Sequence, residues 1–232
     1  MQQTALNLIA IGVFLITMTS LLGGIFHISP FVPAGITVFI MGLATVDTFS
    51  LKGRGMTIFL DLFTPEAEKK RIIRHEAGHF LAGYLLGIPI TGYSLTPWEA
   101  MRQGDLGLGG VSFDLEQVEV SLKDSRQINL LLERLSTTLM AGIAAEKIAY
   151  DEDQGGVEDL RQLRQMFLKA GVPVASHEQR EKWAKLQAIN LIERNQESYE
   201  NLVTAMATRQ PLETCYQVIS DSSSELEKAA IA

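Results

Sequence analysis

The chain has 232 residues, 47% of them apolar, a single cysteine and a net charge of -7 at pH 7. That length and apolar content allow one or two domains with a real core. Cys215 has no partner for an internal disulfide, which fits a reducing compartment and a role as a small buried apolar residue. The acidic balance, without a basic and aromatic patch, argues against nucleic acid as a partner.

Charge is unevenly placed, because all 20 basic and 27 acidic residues fall at or after Asp47. Ala5 to Phe26 is an uncharged run rich in Leu, Ile, Val and Phe, long enough to cover the roughly 30 Å hydrocarbon core of a bilayer. Phe31 to Val46, extendable to Phe49, is a second apolar run, joined to the first by His27-Ile28-Ser29-Pro30. Residues 1–49 are therefore predicted to be a two-helix transmembrane hairpin in contact with the lipid bilayer. A cleaved signal peptide is the competing assignment for the first run, but there is no basic n-region and another apolar run follows. Lys52, Arg54, Lys69, Lys70, Arg71 and Arg74 all follow the second run, and the link has no Lys or Arg. The positive-inside rule then places both termini and the rest of the chain on the cytoplasmic side, or the equivalent side of an organelle membrane. Residues 50–64 read as a linker, with a short apolar turn at Ile58 to Phe63 on the membrane surface.

The next stretch forces a chemical reading. Thr64 as N-cap, Pro65 at the first helical position and Gly87 with Pro89 as the stop predict a helix from about Pro65 to Leu86. It contains His75-Glu76-Ala77-Gly78-His79. Residues four apart share a helix face, so His75 and His79 can offer two imidazoles to one zinc ion, while Glu76 can act as base toward a water. Ile73, Ala77, Phe80 and Tyr84 form the expected buried stripe. Gly78 and Gly83 each cost roughly 1 kcal/mol relative to Ala, so close packing of another backbone should compensate. Lys69, Lys70, Arg71 and Arg74 would be costly at bilayer depth, which assigns this helix to a domain outside the membrane.

Ile90 to Thr96 and Leu108 to Asp114 read as two short strands joined by a polar excursion through Trp98, Arg102 and Asp105. If the outer strand borders the metal cleft, Gly109, Gly110, Val111 and Ser112 could bind a substrate peptide as an added strand; otherwise the sheet covers the core. Ser121 with Asp124 opens a long helix ending near Tyr150, whose small residues from Ser136 to Ala145 allow close approach to the metal helix. Glu146 on that helix either meets a site residue or, the preferred expectation, forms a salt bridge at the surface or at a helix N-terminus.

A third ligand must lie elsewhere. A metzincin would need glycine at position 82 and histidine at 85, where the chain has Ala82 and Leu85. A thermolysin-like site would place a Glu on a following helix, whereas Glu99 is in a polar loop beside Pro97. Asp151, Glu152, Asp153, Glu158, Asp159 and His177 remain. Asp159 is preferred, because it sits in the first turn of a helix from about Val157 to Ala170 directly after Gly155-Gly156. His177 is expected as a surface residue or cap. Helices follow from Ser176 to about Arg209, bent near Asn195, and from Pro211 to Ile219. Residues 65–220 form the predicted domain, and 221–232 a mobile tail.

The HExxH element, the Ser136 to Tyr150 stretch and Gly155-Gly156-Val157-Glu158-Asp159-Leu160 together resemble the zinc peptidase domain of FtsH-type membrane proteases, in order and in spacing. The likeness runs from about Pro65 to Ile219. It implies a mainly α, zincin-like helical domain with a small β-sheet, zinc held by His75, His79 and Asp159, and Glu76 as the base. It also implies polypeptide substrates and a homo-oligomer, hexameric in the family, or association with an AAA protease. The departure is that only 18 residues separate Val46 from Pro65 and no phosphate-binding G-x-x-x-x-G-K-[ST] loop occurs. The family's ATP dependence therefore does not carry over. The expectation is a membrane-anchored zinc endopeptidase acting on unfolded or membrane proteins. The alternative is a non-catalytic zinc-binding partner or regulator of an ATP-driven protease.

Overall fold

A computed structural model describes residues 2–231 except 24–26, 28, 30, 51–53, 62, 105–108, 115–124 and 152–155. Side chains within helices are outside the description at 2–9, 44, 46, 48–50, 54, 56, 57, 60, 125, 126 and 223–231. The chain is mainly helical with one two-stranded sheet, and it divides into two compact units.

The first unit comprises residues 1–65 and 96–109. It contains α1 (Gln2–Leu22), α2 (Phe31–Ser50), α3 (Arg54–Asp61) and α5 (Pro97–Arg102), with α2 packed on α1, α3 on α2 and α5 on α3. The two apolar runs are thus helices. The hydroxyls of Thr17, Thr19, Thr37 and Thr45 donate to carbonyls four residues back, so none needs an outside partner. Among the described residues no helix is long and apolar enough to cross a membrane. The excursion read as a polar loop is in part helical: Thr96 Oγ1 accepts the Glu99 N–H at 3.1 Å and Pro97 occupies the first turn of α5. Asp105 lies outside the described residues.

The second unit comprises residues 66–95 and 110–232. Its elements are α4 (Glu66–Leu85), β1 (Ile90–Ser94), β2 (Gly110–Phe113), α6 (Ser125–Tyr150), α7 (Val157–Lys169), α8 (His177–Arg194), α9 (Gln196–Ala207) and α10 (Leu212–Ile231). The strands pair antiparallel, Tyr93 opposite Val111 and Ser94 opposite Gly110, with an irregularity between Ile90 and Gly92. α6 is the central helix, packed on both α4 and α8, as its apolar character on nearly all sides requires. The Ser121 and Asp124 start expected for it lies outside the described residues.

Along α4 the surroundings change in steps. Glu66, Ala67, Glu68 and Lys70 are exposed, Arg71 to Glu76 are half-buried, and Ala77 to Gly83 are buried. The expected single stripe is thus replaced, in the second half of the helix, by burial on every side. Gly78 explains how. A Cβ there would stand 2.5 Å from the Ala141 carbonyl oxygen and 2.8 Å from Ala145 Cβ, so α4 and α6 meet backbone to backbone, as small residues on both helices allow. Gly83 instead leaves room for the Phe113 ring.

α9 clamps the entry half of α4. Arg74 donates to both carboxylate oxygens of Glu200 at 2.7 and 2.9 Å, and the Tyr199 hydroxyl donates to the Arg74 carbonyl at 2.9 Å. The chain breaks between α8 and α9 at Asn195, where a bend was expected. Two other expectations are corrected. Residues from Asp221 on, expected as a tail outside the domain, continue α10 as helix to Ile231, and Ser222 at their start is buried, donating to the Val218 carbonyl and accepting from Asn201. His177 is buried rather than at the surface, its ring against Phe167 and its Nε2 3.0 Å from the Val172 carbonyl oxygen. Cys215 is fully buried, as expected.

Candidate metal centre

One turn of α4 puts His75 above His79, and their Nε2 atoms are 3.0 Å apart. Asp159 enters from the first turn of α7. Its Oδ2 lies 3.0 Å from His75 Nε2 and 3.5 Å from His79 Nε2. The approach depends on Gly156, which caps α7 with φ of 81°. A Cβ there would run into the Ile143 side chain and stand 3.4 Å from Asp159 Oδ2. Gly155, Glu152 and Asp153 lie outside the described residues. Asp151, Glu158 and His177, the other described candidates, belong elsewhere: Asp151 pairs with Lys147, Glu158 with Arg161, and His177 packs on Phe167.

Each imidazole is aimed through its other nitrogen. His79 Nδ1 is 2.8 Å from the Thr138 carbonyl oxygen, which can only accept, so the proton is on Nδ1 and the Nε2 lone pair faces inward. His75 Nδ1 is 2.7 Å from Glu146 Oε1. Glu146 is 3% exposed and is held in turn by Arg71, whose Nε donates to Oε2 at 2.6 Å. Arg71 also lies over the Tyr150 ring. The surface salt bridge expected of Glu146 is therefore wrong. It is the buried carboxylate that orients a ligand histidine.

With both rings neutral, three acceptor atoms converge with no donor among them, all within 4.8 Å of one another. Asp159 Oδ2 is buried without a hydrogen-bond partner. Such a set wants a cation, and the group of His75, His79 and Asp159 can hold a metal ion. Without one, a proton does the work. Burial pulls the His75 imidazolium down, but Asp159 and Glu146 outweigh it and push its pKa up to about 10. His79 is raised for the same reason, with Asp159 overcoming burial. Burial would raise the Asp159 carboxyl, yet the two histidines hold it well below the ordinary range.

No protein-family model and no curated protein matches the chain.

Two further residues complete the geometry. A Cβ at Gly142 on α6 would collide with the Nε2 atoms of both histidines, so α6 passes the site with bare backbone. Glu76 points to the sheet. Its Oε2 accepts the Val111 N–H at 3.2 Å, and a Cβ on Gly110 would stand 3.5 Å from the same oxygen. Because that amide faces away from β1, the outer edge of β2 borders Glu76. Burial raises the pKa of Glu76, against the pull of His79 and His75. Of the residues expected to bind substrate, Gly110 and Val111 are brought to Glu76. Ser112 is half-buried within β2, and Gly109 is an exposed residue ahead of it. A groove of about 1020 Å³ between α6 and α8, lined by Leu130, Arg134 and Trp183 among others, contains none of the metal-centre residues.

Proposed function

We propose that the chain is a membrane-anchored, zinc-dependent endopeptidase of the FtsH type that cuts unfolded or membrane proteins. The observation that carries this reading is the convergence of His75, His79 and Asp159 beside Glu76, a half-buried carboxylate held by a strand amide. Two imidazole nitrogens and one carboxylate oxygen suit zinc, and three protein ligands leave a position open, as in catalytic rather than structural sites. When bound, zinc would supply a Lewis acid that polarises the scissile carbonyl and acidifies the attacking water.

The chain's own residues supply the rest. Glu76 takes the proton as the water oxygen bonds to the carbonyl carbon, and returns it to the amide nitrogen as the C–N bond breaks, leaving a carboxylate and an amine. Its raised pKa makes it a better proton acceptor than a solvated carboxylate. The outer edge of β2, from Gly110 to Ser112, offers backbone groups to an extended substrate, and Gly110 leaves its path clear of a side chain. Glu146 and Arg71 keep His75 in one tautomer.

Membrane insertion of the α1 and α2 hairpin, with the metal centre on the cytoplasmic or equivalent side, is part of the proposal. Its support is the apolar surface of these helices: Leu21, Phe31, Val38, Phe39 and Met41 are all exposed, and no charged residue precedes Asp47. In water such a surface is a liability, in lipid an anchor. The test uses purified protein, zinc and an unfolded protein substrate without ATP. Wild type should cleave. Glu76→Gln should keep its zinc and lose about 100-fold or more in rate. Equal rates for the two proteins reject the peptidase reading in favour of a non-catalytic partner, and full zinc content in Asp159→Asn rejects the ligand set.

A further inference from the structure

Outside the metal centre, the clearest unexplained feature is an aromatic surface in the first unit. Phe59, Phe63 and Trp98 are 50%, 55% and 50% exposed. Phe59 near the end of α3 and Phe63 just after it meet edge to face at 5.3 Å. Trp98 is in the first turn of α5, which packs on α3. α3 is in turn tied to the end of α2, where Asp47 Oδ1 accepts the Gly55 N–H at 2.7 Å. Among the described residues, every exposed phenylalanine lies in this unit.

The composition points to one kind of surroundings. A solvent-facing indole has an apolar ring body that gains from hydrocarbon and an N–H that needs a polar partner, and the headgroup region of a bilayer offers both. Arg102, exposed at the other end of α5, can reach lipid phosphates from the same short helix. Aromatic residues beside basic ones, continuous with an apolar hairpin, are the pattern of an interfacial element rather than of a protein-binding groove. The compact unit itself supports this: Thr96 to Gly109 leaves the strand pair and clusters with the hairpin, not with the metal centre.

We propose that α5, led by Trp98, seats at the headgroup level of the bilayer beside Phe59 of α3 and Phe63 just after it, making this part of the β1 to β2 connection a membrane-surface element. The proposal rests on the hairpin reading above. It extends the anchor from the first 65 residues to a segment that sequence order places inside the peptidase domain.

The two tryptophans make the test internal. Trp183→Phe leaves Trp98 as the sole indole, and Trp98→Phe leaves Trp183, which is 58% exposed on α8 in the second unit. Each full-length variant is reconstituted into phosphatidylcholine vesicles in which part of the lipid is brominated near the top of the acyl chains. Fluorescence is then read with and without iodide. Trp98 should be quenched by the brominated lipid and shielded several-fold from iodide, with Trp183 showing the reverse. Trp98 quenched by iodide as strongly as Trp183, in protein that stays with the vesicles after alkaline extraction, overturns the proposal and spares the hairpin. Protein released by alkaline extraction overturns both.

Discussion

Alanine at position 142 would place a methyl group between the two imidazoles, and its consequences can be worked out. The new Cβ would stand 2.5 Å from His79 Nε2 and 2.6 Å from His75 Cδ2. Comfortable non-bonded contact needs roughly 3.5 Å, so the rings or α6 must give way by about 1 Å. A metal site tolerates only about 0.2 Å in its ligand distances, and displaced ligands cost about 10- to 100-fold in affinity at the least. Folding is affected less. Alanine gains ~1 kcal/mol over glycine within a helix, against about 1 to 3 kcal/mol for overpacking, so the net loss stays within ~2 kcal/mol. Gly142→Ala should therefore fold and melt cooperatively without metal yet bind zinc at least about 10-fold more weakly. Competition with a chromophoric chelator measures the binding, and a metal-free thermal melt measures the fold. Gly12→Ala, where a Cβ meets nothing within 4 Å, is the matched comparison. Wild-type zinc affinity in Gly142→Ala would falsify the assignment of the ion to the space between these rings.

Two more predictions follow from the groups around the site. Glu146→Gln leaves an oxygen for His75 but removes the charge that Arg71 pairs with, and should weaken zinc binding by about 10- to 100-fold, while a surface role predicts no change. The second is a pH dependence. Metal-free His75 has its pKa raised from 6.5 to about 10, so near neutrality a proton must leave for the metal to enter. Zinc affinity should then rise about tenfold per pH unit from pH ~7 toward ~10. A flat profile over that range contradicts it. The same shift sets metal-free stability. The contribution of His75 is full below 6.5 and is lost as pH rises through about 10. That of Asp159, whose pKa is depressed, is present above its ordinary 3.8 and is lost as pH falls.

Much of the site was legible because it obeys local rules. His75 and His79 follow from helical spacing, and Asp159 from a glycine pair ahead of a helix. Glu146 was legible only as the less favoured of two placements, since α6 is apolar on nearly every side and its periodicity does not say which polar residue turns inward. A signal existed: Glu146 is the one acidic residue between Ser136 and Ile148, and Arg71 stands one turn before His75. α5 was missed although Thr96-Pro97 repeats the Thr64-Pro65 start used to place α4. The tail from Asp221 looked disordered by composition, but Ser222 satisfies its hydroxyl inside the protein, which no composition can show. His177 was misplaced for a similar reason, its ring being buried by Phe167 from a different helix.

The stepwise burial of α4 has a last consequence. His75 and Glu76 end the half-buried stretch of the helix, whereas His79 lies within the buried stretch that begins at Ala77. An ion gripped there would have the rigid interior on its inner side and would look outward past His75 and Asp159. It can be exchanged through that doorway while Gly78 and Ala141 stay locked. Loading and stripping the cation are then events of the rim, and the scaffold that shapes the cradle does not have to come apart for either.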